Sequence, residues 1–92
     1  MLFAILCTDK PNSLDLRLAT RSAHLEYLKQ HEDIFVIVGP TLADDGVSMN
    51  GSCQIVDVPD RARLDEYLAN DPYSRAGLFE KIEIRGFKKV YG

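Results

Sequence analysis

The sequence has no apolar run near the roughly 20 residues that a membrane-spanning helix needs, no excess of basic charge and only two cysteines. The first absence excludes a helical membrane span, so no membrane partner is expected. The second, eleven Lys and Arg against fourteen Asp and Glu for a net charge of -3, is the wrong sign for a protein that holds phosphate backbones by counterion release. Nucleic acid is therefore not an expected partner. Cys7 and Cys53 both fall in apolar, strand-like stretches, and no basic region precedes the first of them. They are expected as reduced core thiols, and the chain as cytoplasmic. No phosphate-cradling GxGxxG or GxxxxGK[ST] loop occurs. The only histidines, His24 and His31, are two helical turns apart, about 10 Å at 1.5 Å per residue, too far to share a metal ion. No metal and no cofactor is expected.

What is present is an ordinary globular composition, 46% hydrophobic and 27% charged over 92 residues, which reads as one domain over 1–92. A chain this short buries only about 60–65% of its unfolded surface, so association with a second copy is a live question. Residues 2–8 and 34–38 are apolar without alternation, the pattern of strands covered on both faces. The second is expected to stop at Gly39-Pro40. Between them Ser13 is placed to cap a helix running to about Gln30, with a bend near Thr20. Asp45-Gly46 and Asn50-Gly51 mark residues 42–51 as a hairpin loop. A strand over 52–58 follows, then a helix from Pro59-Asp60 to about Asn70, and a single turn from Asp71-Pro72 to Gly77. The last strand is expected over 79–91, with Gly86 as a bulge or bend. This βαββαβ order predicts an α+β, ferredoxin-like sheet with both helices on one face. The other apolar face then needs a cover, and a second copy laying its sheet against this one supplies it.

At about 100° per residue from Leu14, Leu18 and Leu25 lie within roughly 40° and Arg21 about 20° to the other side, inside the expected buried stripe. Leu28, Arg17 and His24 follow along one border. A cation set against a core requires a carboxylate, a bound anion or an escape along its own stem. Asp71 reads first as a helix cap. In this topology its turn can also approach one end of the first helix, where a carboxylate on one imidazole nitrogen would raise the basicity of the other.

Arg17-Leu18, Arg21-Ser22-Ala23-His24-Leu25-Glu26-Tyr27-Leu28, Val38-Gly39-Pro40, Gly51-Ser52, Asp71-Pro72-Tyr73, Ala76-Gly77-Leu78 and Phe87-Lys88-Lys89-Val90-Tyr91 occur in this order. Nearly end to end, the sequence thereby resembles the YciI-like (YCII-related) family of small dimeric α+β barrels. The resemblance implies a His–Asp pair at His24 and Asp71 as the catalytic residues. It also implies a pocket with Arg17, Arg21, Ser52 and Tyr73 as substrate-binding residues. Ser22 departs from the family, which often has Pro before Ala-His. The resemblance leaves the reaction open, and the first hypothesis for these residues is cofactor-independent acid–base chemistry, of lyase, isomerase or dehydrohalogenase type, on a small anionic or ring-type molecule, with His24 as base and Arg17 or Arg21 holding substrate charge. The alternative is a non-catalytic ligand-binding or accessory module, because a fold alone does not supply a reaction.

Overall fold

The computed structural model describes residues Met1–Gly92. In chain order the elements are β1 (Leu2–Asp9), α1 (Leu14–Lys29), a 3-10 turn (Glu32–Ile34), β2 (Phe35–Leu42), β3 (Met49–Asp57), α2 (Arg61–Asn70), α3 (Pro72–Arg75) and β4 (Phe79–Phe87). The four strands form one antiparallel sheet in the order β2-β3-β1-β4. This is the ferredoxin-like α+β arrangement.

The helix ends follow from local chemistry. Asp60 caps α2 by accepting from Arg63 N–H at 2.9 Å. Asp71 caps α3 by accepting from Tyr73 N–H at 3.1 Å, with Pro72 in the first turn where its missing donor costs nothing. Gly77, at φ 73°, turns the chain out of α3 while Leu78 N–H bonds back to Tyr73 C=O at 3.1 Å, a left-handed stop that glycine adopts without strain. Ser13 does not cap α1 with its side chain, and its hydroxyl instead points back at Pro11 C=O. α1 then runs unbroken through Thr20 and Ser22.

Three strand boundaries differ from expectation. β2 continues through Gly39-Pro40, with Pro40 opposite Ser52, which is possible because it is an edge strand, where proline is tolerated at positions whose N–H would not meet a neighbour. β3 begins at Met49, so the hairpin connection shrinks to Ala43–Ser48, closed by Ala43 N–H to Ser48 C=O at 2.8 Å. β4 ends at Phe87, and its irregularity lies opposite Thr8 and Asp9 rather than at Gly86, which pairs regularly with Phe3.

The core lies between the helices and one sheet face. Phe3, Ile5 and Cys7 of β1 and Val56 of β3 meet Leu64, Tyr67 and Leu68 of α2, with Ile34 at the edge. On the opposite face Leu6 and Ile37 are 42% and 63% exposed and Cys53 is also exposed, so within one chain these strands are covered on the helix side alone and Cys53 lies outside the core.

α1 is turned from its expected setting. Leu14, Leu18, Arg21 and Leu25 are exposed, and its two buried residues are Arg17 and His24. These are seven positions apart and so within about 20° of each other around the helix. Counting leucines misses this face, because a polar helix face is stable against a core when its groups find partners there.

Candidate functional site

Arg17 and His24 face a wall made by β1, β3 and α3, and each meets a carboxylate. Asp9, at the end of β1, accepts from Arg17 Nε at 2.7 Å and from Nη2 at 2.9 Å, a two-pronged pair nearly closed to solvent. Arg17 Nη2 also donates to Ser52 Oγ at 3.0 Å. Burial works against the Arg17 charge, but the hydrogen bond and negative charge of Asp9 outweigh it and raise the guanidinium's pKa. Two turns along α1, His24 Nδ1 lies 2.8 Å from Asp71 Oδ1, with both side chains buried. The same Asp71 oxygen caps α3. A carboxylate at Nδ1 holds that proton on Nδ1 and leaves the Nε2 lone pair free.

Tyr73, immediately after the cap, lies against both groups. Its ring stacks on His24 at 3.9 Å between centroids and 17° between planes. The Arg17 guanidinium carbon sits 4.5 Å from the same ring centre. Burial pushes the Tyr73 phenol up, and the charges of Arg17 and Arg21 partly offset that. Behind the pair, burial and then the negative charge of Asp71 push the Cys7 thiol up to about 12, which leaves it protonated and inert at neutral pH. Tyr67 O–H donates to Gln54 Oε1 at 2.9 Å. Gln54 Nε2 and Asp71 Oδ2 are buried with no protein partner.

A cavity of about 220 Å³ opens between α1 and the β2 edge, with Ser52, Arg17, Arg21, His24 and Tyr73 as its polar lining and Leu25, Leu28, Val38, Pro40 and Met49 as its apolar one. Asp71 is fully buried behind His24. The structure thus brings His24, Tyr73, Ser52 and Arg17 to one wall. Arg21 sits differently from expectation: it is exposed, lines the cavity and makes one side-chain contact, to Met49 Sδ at 3.6 Å. Asp9 was missed by sequence reasoning because Asp9-Lys10-Pro11-Asn12 reads as turn chemistry. The requirement that a core-facing arginine find a carboxylate was the signal that could have found it.

A family model for the YCII-related domain matches residues 1–88. An uncharacterized protein of Haemophilus influenzae is 34% identical over 98 aligned positions, covering 99% of this chain and all of that one. Protein YciI of Escherichia coli is 33% identical over the same length, with 99% and 100% coverage. Among solved structures, 5-chloro-2-hydroxyhydroquinone dehydrochlorinase of Burkholderia phenoliruptrix, complexed with 2,5-dihydroxybenzoquinone, superposes with a TM-score of 0.88 at 33% identity, covering 96% of this chain and 94% of that one. An antibiotic biosynthesis monooxygenase at 20% identity, with TM-score 0.59 and coverage of 99% and 100%, shares the fold alone. No helix is long and apolar enough to cross a membrane. With the family model spanning most of the sequence and relatives matched over nearly their full length, the chain belongs to the YCII-related domain family.

Proposed function

We propose that this chain is a small-molecule enzyme of cofactor-independent acid–base chemistry, with His24 as general base and Asp71 as the carboxylate that orients it. The observation that carries the reading is the buried 2.8 Å contact between His24 Nδ1 and Asp71 Oδ1 at the wall of the cavity. His24 Nε2 takes a proton from a hydroxyl or an acidic carbon of the substrate, and Asp71 stabilises the imidazolium that forms. In an elimination the electron pair so released expels a leaving group, such as halide, from a neighbouring saturated carbon, which for a ring halide is first formed by tautomerisation of a phenol to its ketone with the proton placed on the halogen-bearing carbon. In an isomerisation the proton returns at another atom. A cavity of about 220 Å³ is smaller than the roughly 300–1,000 Å³ of drug-sized pockets and suits a single oxygenated ring. The likeness to a dehydrochlorinase that holds a dihydroxybenzoquinone supports that substrate class.

The test is dehydrochlorination of 5-chloro-2-hydroxyhydroquinone, followed by chloride release. His24→Asn is expected to lower kcat by about 10²–10⁴-fold, the usual contribution of a general base, while affinity for 2,5-dihydroxybenzoquinone changes little. A parent chain that binds the quinone but releases no chloride would favour the binding-module alternative. We infer also that a second copy covers the open sheet face, where Leu6, Val36 and Ile37 are exposed.

A further inference from the structure

Ser52 sits at the end of a chain of buried hydrogen bonds that fixes which way its hydroxyl works. Arginine has donors only, so in the 3.0 Å contact between Arg17 Nη2 and Ser52 Oγ the serine oxygen accepts. Ser52 makes no other side-chain hydrogen bond with the protein, and it lines the cavity. Its own proton is therefore left for a cavity ligand. The second Nη2 hydrogen goes to Asp9 Oδ1 at 2.9 Å, and Asp9 Oδ2 takes Nε at 2.7 Å. The guanidinium plane is thus set by Asp9, which follows an irregularity in the β1–β4 ladder between Thr8 and Asp9. Such irregularities re-aim side chains beside functional sites. On the other flank Gly51 has no room for a Cβ against Cys7 C=O and Thr41 Oγ1, so β3 is held close just before Ser52.

Charge points the same way. Asp9 neutralises Arg17, and Asp71 stands behind His24. Of the cations lining the cavity, Arg21 alone has no carboxylate, its neighbour being the neutral Met49 sulfur. Resting on the proton-transfer reading above, we propose that Asp9, acting through Arg17, holds Ser52 as a hydrogen-bond donor to the substrate oxygen that becomes an enolate or phenolate when His24 removes the proton. Asp9 is a positioning residue, and Arg21 compensates the single negative charge that develops. Donors aimed at a developing oxyanion before it forms favour the charged state without reorganisation.

Neutron diffraction from deuterium-exchanged crystals of the parent tests this without a ligand. The Ser52 hydroxyl deuteron is expected to point into the cavity, with an Arg17 Nη2 deuteron directed at Oγ. A hydroxyl deuteron turned to a protein acceptor overturns the proposal. In solution, difference absorbance with 2,5-dihydroxybenzoquinone is expected to show Ser52→Ala weakening binding about tenfold, the scale of one charge-assisted hydrogen bond. Asp9→Asn should weaken it similarly, the double variant no further than Ser52→Ala alone, and Asp9→Glu should restore part of the loss. Independent, multiplying effects, or parent-like binding by Asp9→Asn, would overturn it. A parent chain that does not bind the quinone sinks the ring-substrate reading, and the deuteron position then decides for or against Asp9 and Ser52.

Discussion

At the scale of single residues, Asp71 does two things with one oxygen: Oδ1 accepts from Tyr73 N–H, as a helix cap must, and from His24 Nδ1. Asparagine caps about as well as aspartate, so Asp71→Asn should leave the melting temperature nearly unchanged. Turnover should fall about 10²–10⁴-fold, because the charge that stabilises the imidazolium is gone. Unchanged turnover would remove Asp71 from the mechanism. Cys7 gives a pH signature. Its folded-state pKa is raised from 9.0 to about 12 by burial and by Asp71, so the unfolded chain loses this proton first as pH rises. The stability that Cys7 contributes is present below pH 9 and drains away between there and about 12. Denaturant midpoints measured from pH 8 to pH 11 should fall in the parent, and less steeply in Cys7→Ala. The sequence carried a signal for the His24–Asp71 contact, a histidine bordering an apolar stripe and a carboxylate at a turn that topology can bring near it. For Arg17 it carried only the general requirement that a core-facing arginine find a carboxylate, without singling one out, since Asp9 lies just across the β1–α1 connection and looks like a turn former.

At the scale of elements, strand and helix order were legible because apolar runs, Asp-Pro and Gly signals punctuate the chain. The rotation of α1 was not. Leucines at 14, 18 and 25 describe one helix face and Arg17 with His24 another, and what selects between them is the set of partners across the interface: Asp9, Ser52 and Asp71. The ends of β2 and β3 were misplaced for a related reason, because Pro40 breaks a strand only where its N–H would face a neighbour, and β2 is an edge. Two glycines of this hairpin make a paired test. Gly51 packs against Cys7 C=O with no space for a side chain, whereas a Cβ at Gly39 meets nothing within 4 Å. Gly51→Ala should therefore cost about 1–3 kcal/mol by forcing β1 and β3 apart. Gly39→Ala should stay within about 0.5 kcal/mol of the parent. Equal denaturant midpoints for the two variants would show that the close approach at Gly51 does not hold the sheet.

At the scale of the whole molecule, the two sheet faces are unlike. One carries the helices and the cavity. The other presents Leu6 and Ile37 beside Cys53, with Lys81, Glu83 and Arg85 following on the β4 edge. A stable interface takes about 800 Å² from each partner, roughly one-seventh of this chain's total accessible surface of 5861 Å². Register, which a sequence fixes poorly because a one-residue slip exchanges the faces, is settled here: Ile5 points into the core and Leu6 outward. Leu6→Lys is the informative substitution, since Leu6 pairs with Glu83 on β4, so a lysine there finds a carboxylate within the same sheet and the fold is kept. Sedimentation equilibrium at micromolar concentration should give about twice 10.3 kDa for the parent and about 10.3 kDa for the variant, with unchanged far-UV circular dichroism. Because the cavity is lined from the helix-covered side, the monomeric variant should still bind 2,5-dihydroxybenzoquinone. Loss of binding together with dimerisation would mean that the partner completes the site, and a parent that sediments as a monomer would mean that the open face is not a contact between copies.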